Sequence, residues 1–274
     1  MEDTRPRGHR VQSVDRALML MEALASEGRP MGLVELAQAV GLETTTVHRL
    51  LHTLIERGFV RQDSERGKYE LGLKAFHVGN AVTYIAQLRK ILRPYLERLV
   101  QDTGETSNLA VSDGWDGIYI EQIPGSQFLR MSTEVGRRVP LHSTAVGKAL
   151  MAWLPQEEIE AFIKSNGLRR LTPNTIVEPA VFKAELERVR AQGYTLDLEE
   201  FELGANCIGA PVFGKRGSVV AAVSVSGPTV RFRSEDMERF KVYVCRCASA
   251  ISKEMGYAFE LPRLSSKGWE MVRP

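Results

Sequence analysis

The sequence predicts an α+β protein in two parts. The first is a small N-terminal unit of three helices and a β-hairpin; the second is a larger unit in which an antiparallel sheet is flanked by helices. Three observations carry this. Before residue 60, apolar residues recur three times at helical spacing, and each run ends at a glycine. Two short β-prone runs then bracket a polar, glycine-containing turn. Beyond Gly104, strands come in groups separated by groups of helices, the order of an α+β sheet rather than of alternating βαβ units.

The first helix opens at Ser13, a suitable N-cap, and carries Val14, Ala17, Leu18, Met21 and Leu24 before a C-cap glycine at Gly28. The second has Leu33, Leu36, Ala37 and Val40 as its inner stripe, and Gly41 breaks it. The third runs from about Thr44 to Arg57 on Val47, Leu50, Leu51, Leu54 and Ile55, and Gly58 ends it. Phe59–Gln62 and Lys68–Leu71 form the hairpin around a turn at Asp63–Gly67. Residues 74–92 predict a further helix, and Pro94 is placed to begin another, carrying Tyr95, Leu96, Leu99 and Val100. The strands that follow are Ser107–Val111, Gly117–Ile123, Phe128–Ser132, Tyr194–Leu198, Cys207–Val212 and Ser218–Ser226. The helices are Thr144–Trp153, Gln156–Lys164, Glu178–Ala191 and Glu235–Met255. The expected organisation is residues 1–73 as the first domain, 74–100 as linker helices, 101–258 as the second domain and 259–274 as a loose tail.

A chain of 274 residues, 43% hydrophobic and 26% charged, suits about two globular domains. Mean hydropathy is −0.18, and no apolar run approaches the roughly 20 residues of a membrane span. The N-terminus has no apolar stretch of the secretory type. The three cysteines, Cys207, Cys245 and Cys247, cannot build a disulfide framework, so a cytoplasmic location is expected. Cys245 and Cys247 lie about 200° apart on a helix and are read as packing. No residues have metal-site spacing; His142 with Cys207 is a weak pair, and neither metal nor cofactor is expected. Residues 1–80 hold 11 Lys+Arg and 11 Asp+Glu, so any case for nucleic acid rests on where charges sit.

That case lies in Leu33–Leu51. Ala37 gives two helices a close crossing, Gly41 four residues on permits a tight turn with positive φ, and Val47 six further packs the second helix back on the first. This is the layout of a helix-turn-helix. Its second helix then presents Glu43, Thr44, Thr45, Thr46, His48, Arg49 and His52 to a major groove. The hairpin makes a wing whose Arg61, Arg66 and Lys68 reach phosphates, and a basic arm with Arg5, Arg7 and Arg10 reaches the adjacent minor groove. The competing reading is a three-helix packing unit with these side chains merely solvated.

In the second domain, Ala222, Ser224 and Ser226 share one face of a strand, and Val219, Ala221, Val223 and Val225 the other. Two serines on so apolar a strand want polar partners, and a ligand carboxylate supplies them. Cys207 begins a neighbouring strand, Asp197 ends another, and Val139–Gly147 is a strand-loop-helix junction with an anion-binding helix start, where Ser143 is an N-cap or ligand donor. Taken singly, each fits a structural role too: Cys207 as a small buried hydrophobe, the serines bonded to backbone, Asp197 capping a turn, His142 in the core. Trp115, in a hairpin turn, is an interface aromatic or a turn anchor. An enzyme reading recasts His142, Ser143, Cys207 and Asp197 as nucleophile, base and orienter. Against it, Cys207 sits within a strand pattern rather than at a helix N-terminus, and no nucleophile elbow or phosphate loop occurs.

Residues 11–72, Pro140–Leu150, Cys207–Val212 and the run Ala221–Pro228, with its Ser-Val-Ser-Gly-Pro, resemble the IclR family of bacterial transcription regulators over roughly residues 10–258. The resemblance implies a winged helix-turn-helix, a linker helix and a GAF-like effector-binding domain, acting as a dimer or tetramer on palindromic operators, more commonly in repression. It also implies ligand contacts at Asp197, Cys207, Ser224, Ser226, Ala145 and Val146, with Ser143 and Thr144 at the same junction. Met131, Val139 and Ala205 fall at positions lining the apolar side of the cavity, and the small Ala205 favours a roomier one. The expected function is a ligand-responsive regulator with three partners: operator DNA, a small organic or hydroxy acid, and a second copy of itself. The alternatives are a DNA-binding protein whose second domain only oligomerises, and a Cys/Ser hydrolase.

Overall fold

The computed structural model describes residues 11–63, 67–131, 133–257, 263–265 and 268–270. In the N-terminal unit, α1 (Gln12–Glu27), α2 (Leu33–Val40) and α3 (Thr44–Glu56) close over Leu20, Leu24, Leu36, Ala37, Val47, Leu51 and Leu54. Helices α2 and α3 bury the expected stripes apart from the exposed Ile55, but α1 buries Leu20 and Leu24 and leaves Val14 and Leu18, expected in its stripe, exposed. Helix α1 starts earlier than expected: Val11 is the N-cap and its carbonyl accepts from Val14 and Asp15, so Ser13 lies inside the helix and caps nothing. Gly41 adopts φ 65°, and Leu42 N–H then reaches back to the Ala37 carbonyl at 3.0 Å. The wing is β1 (Val60–Gln62) antiparallel to β2 (Tyr69–Leu71). Met31 and Tyr69 exchange backbone hydrogen bonds of 2.9 and 2.8 Å, which fastens the wing to the α1–α2 connection.

The connecting segment breaks where it was not expected to. Helix α4 (Leu73–Asn80) ends as Ala81 and Val82 N–H turn back to Val78 and Gly79, and α5 (Thr83–Thr103) begins there. Pro94 does not start a helix; it lies within α5. Its missing N–H forfeits one ladder bond, while Leu92, Leu96 and Leu99 around it are buried and hold the helix in place. The chain divides into two units between Gln87 and Leu88, inside α5.

The larger unit is one antiparallel six-stranded sheet of order β5-β4-β3-β8-β7-β6. Its strands are β3 (Thr106–Asp113), β4 (Asp116–Ile123), β5 (Arg138–Pro140), β6 (Thr195–Leu198), β7 (Ala205–Phe213) and β8 (Val219–Pro228). One face carries α6 (Ala145–Met151), α7 (Gln156–Asn166) and α8 (Pro179–Gln192) over a core that includes Leu141, Phe162, Phe182 and Leu186. Helix α9 (Ser234–Glu254) packs on β7 and β8, and the Ser252 hydroxyl accepts from Phe213 N–H at 2.9 Å. Helix α5 lies beside it: Tyr95 donates to Glu254, and Ser107 to the Leu96 carbonyl. Trp115 is a turn anchor, its ring 5.7 Å from Phe162 in an edge-on contact. The strand expected at Phe128–Ser132 is not formed at 128–131, and Ser132 lies outside the described residues. The edge of β4 is occupied by β5 instead, which leaves Phe128 fully exposed. In the tail expected to be loose, β9 (Arg263–Ser265) pairs with β10 (Gly268–Glu270).

Helix α6 is buried along its whole length because two glycines let it approach the chain closely. A Cβ on Gly147 would lie 2.5 Å from the Leu141 backbone, and one on Gly209 in β7 would lie 2.9 Å from the Ala145 carbonyl. Both distances are below any real contact. Gly209→Ala is therefore expected to lower stability by about 1–3 kcal/mol in denaturant unfolding. Gly79→Ala, where a Cβ meets nothing within 4 Å, leaves it unchanged or slightly raised.

Candidate functional site

Two sets of residues were expected to act. On α3 the buried stripe Val47, Leu51 and Leu54 leaves Thr45, His48, Arg49 and His52 exposed on the other side. Glu43 is the exposed N-cap, while Thr44 and Thr46 are half-buried on the flanks. His52 lies 3.8 Å from Glu56, and Arg49 makes no ion pair among the described residues. On the wing Lys68 is exposed, but Arg61 is bound across the hairpin to Glu70 at 2.9 Å. Arg5, Arg7, Arg10 and Arg66 lie outside the described residues.

The second set meets at a cavity between the sheet and the start of α6, with a volume of about 40 Å³. Met131, Val139, Thr144, Ala145, Val146, Asp197, Ala205, Cys207, Ser224 and Ser226 all line it. Cross-strand register explains the convergence. Asp197 on β6 pairs with Cys207 on β7, which pairs with Ser226 on β8, which pairs with Thr106 on β3, so the four share one face. The next row brings Thr195, Gly209, Ser224 and Asn108 together. Ser143 is the exception. Thr144, not Ser143, caps α6, accepting from Gly147 N–H at 3.1 Å, and the buried Ser143 hydroxyl does not border the cavity. That cap also claims one of the N–H groups expected to bind an anion.

Several contributors were missed. Tyr119, Thr133, Arg137, Phe201 and Glu202 also line the cavity. Behind it, Asn108 is fully buried, and its amide donates to Ser226 at 3.2 Å and Ser224 at 3.4 Å. Asn108 Oδ1 in turn accepts from the Thr133 hydroxyl at 2.8 Å and from Gln122 at 3.3 Å. The serines thus have a protein partner already. Because Asn108 donates to both, Ser224 keeps its own O–H to give to an acceptor, while the Ser226 hydroxyl also bonds the Cys207 sulfur. Asn108 was overlooked because an isolated Asn in a strand run carries no pattern.

Asp197 does cap a turn: its Oδ1 accepts from Glu200 N–H at 2.8 Å and Phe201 N–H at 3.3 Å. Burial nevertheless pushes its carboxyl from 3.8 up to about 7, against the pull of the nearby Lys148 charge. Burial likewise raises the Cys207 thiol, reinforced by Asp197. This is the reverse of what a nucleophilic thiolate requires. Cys245, on the opposite side of the sheet, is pushed up to about 12 by burial and serves as packing. Among the described residues no three His, Cys, Asp or Glu side chains converge as metal ligands would, and no helix is long and apolar enough to cross a membrane.

Residues 13–64 match the IclR helix-turn-helix domain, and residues 80–253 the C-terminal domain of bacterial transcriptional regulators of the IclR type. The chain is 36% identical over 255 residues to the transcriptional repressor IclR of Escherichia coli (strain K12), spanning 92% of this chain and 93% of that protein. It is 34% identical over 247 residues to the HTH-type transcriptional regulator XynR of the same organism, spanning 90% and 98%. Among solved structures it is similar to the Thermotoga maritima IclR, with TM-score 0.74, 32% identity, and 90% and 100% of the two chains covered. It shares its fold with an IclR homolog from Microbacterium hydrocarbonoxydans, solved in complex with 4-hydroxybenzoate, at TM-score 0.79, 21% identity, and 89% and 98% coverage. The regulators matched along the sequence are not enzymes.

The Asp197 environment makes a prediction about pH. An acid whose pKa rises on folding holds its proton more tightly in the folded state. The stability this provides is fully present below the ordinary value of 3.8 and is lost as pH rises through about 7. Asp197→Asn removes the titration. Melting temperature measured from pH 5 to 8 is expected to fall less steeply for this variant than for the wild type; parallel curves would contradict the assignment.

Proposed function

This chain belongs to the IclR family of bacterial transcriptional regulators, and from that premise we propose that it is a ligand-responsive repressor. It binds a palindromic operator as a dimer or dimer of dimers, and a small organic or hydroxy acid held in the C-terminal unit tunes operator affinity. It acts in the cytoplasm.

The observation supporting the effector half is one cavity lined by ten of the residues expected to contact a ligand, whose wall offers hydroxyls prearranged by Asn108. The DNA half is supported by the exposed Thr45, His48, Arg49 and His52 on a helix whose other side is core. Short polar side chains reach base edges, and an unpaired guanidinium reads guanine or phosphate. The two functions are joined in sequence through α5, within which the two units divide. Effector binding selects one arrangement of the paired C-terminal units and so shifts the population able to match half-sites about one DNA turn apart.

The test is binding to the DNA upstream of the chain's own gene, against random DNA of equal length, across a salt series. Tight and selective binding is expected, and Arg49→Ala is expected to weaken it by about 1–3 kcal/mol. Equal, steeply salt-dependent binding to both DNAs, with effector absent and present, overturns the regulator reading. A melting-shift screen of small organic and aromatic hydroxy acids tests the effector half. The shift is expected to vanish in the double variant Ser224→Ala/Ser226→Ala. Acids that shift melting without changing operator affinity would leave the cavity without a regulatory role.

A further inference from the structure

The family resemblance places the polar ligand contacts of the cavity on its β6, β7 and β8 side. The structure puts a second polar group on the other side, formed by Tyr119 in β4 and Arg137 just ahead of β5. Tyr119 is 6% exposed, and what remains open faces the cavity. Its hydroxyl makes no hydrogen bond among the described residues. A buried phenol ordinarily finds a partner, so this donor is left waiting for one.

Arg137 is the one cation among the described residues lining the cavity, and it makes no ion pair among them. Its neighbour Arg138 differs, being held by Asp113 and, at 3.1 Å, Asp116. The Arg137 carbonyl accepts from Tyr119 N–H at 3.2 Å, which fixes the two residues side by side. Burial keeps the Tyr119 hydroxyl protonated and so a donor, with Cys207 and Asp197 acting in the same sense and the charge of Arg137 opposing them. In the strand order, β4 lies two steps from β8, about 10 Å between backbones at the spacing of a sheet. A carboxylate whose two oxygens are taken by Ser224 and Ser226 leaves Tyr119 and Arg137 for a second acceptor. A short chain with an acceptor at each end reaches both. A guanidinium beside a phenol hydroxyl suits a second carboxylate. Asp197, protonated up to about pH 7, does not stand in its way.

We propose that Tyr119 and Arg137 form the specificity-determining pair of this cavity, selecting a short dicarboxylic acid over the monocarboxylic acid of equal length. This rests on the effector reading above. The experiment is calorimetric titration of the full chain at pH 6.5 with succinate and glutarate, and with butyrate and pentanoate as their one-carboxylate counterparts. The wild type is expected to bind the diacids at least tenfold more tightly. Arg137→Met reduces that preference below threefold, Arg137→Lys retains part of it, and Tyr119→Phe weakens the diacids more than the monoacids. Unliganded melting temperature checks that each variant folds. If monoacids bind in a manner lost in Ser224→Ala/Ser226→Ala and diacids bind no better, this inference falls and the effector reading stands. A diacid preference that survives Arg137→Met also overturns it. If no acid of either kind binds, both readings fall.

Discussion

A buried ammonium organises the larger unit. Lys148 on α6 has none of its surface exposed, yet an unpaired cation in a dry interior is prohibitively costly. It is met by Glu200, to which it is hydrogen-bonded, and by Glu185 on α8 at 3.5 Å. Glu185 is bound in addition by Arg188. The ammonium therefore ties α6, α8 and the turn after β6 into one body, and removing a partner from such a buried set typically costs about 3–5 kcal/mol. The turn is fixed from its backbone as well. The Thr175 hydroxyl donates to the Glu200 carbonyl at 2.6 Å, Thr172 to that of Glu199, and Asp197 accepts from Glu200 N–H.

The cavity inherits its shape from that anchor. Phe201 and Glu202 line it because Glu200 is pinned, and Ala145 and Val146 line it because Lys148 holds α6 down. Thr195 adds a further tie, donating to the Ala145 carbonyl at 2.7 Å. On the far side Met131 is placed by its carbonyl, which accepts from Thr106, and by Arg231, which clamps Glu105 and the Leu129 carbonyl. The donors are set in advance of any ligand, so binding expends little on ordering them.

Much of this was legible in the sequence, for stated reasons. Helical stripes such as Val47, Leu51 and Leu54 repeat with a period only a helix satisfies, and Gly41 and Gly58 mark turns that few other residues tolerate. Ser224 and Ser226 stood out against an apolar strand. What escaped depends on register between distant strands. Tyr119, Thr133 and Arg137 reach the cavity only through the pairing of β3, β4 and β5, and a Tyr in an apolar run reads as core. Lys148 escaped for the opposite reason: a lysine reads as surface, and only the geometry of Glu185 and Glu200 makes its burial tolerable. The break at Ala81 and Val82 was hidden behind Pro94, which reads as the start of a helix but lies inside α5.

The sheet ends on its two shortest strands. At one margin β5 spans three residues and includes Pro140, which has no N–H to offer; at the other β6 spans four, after which Glu199 turns the chain away with φ 60°. Neither margin presents a long row of open backbone donors and acceptors to a passing strand. Copies of this unit that gather at high concentration have little to zip together by strand addition.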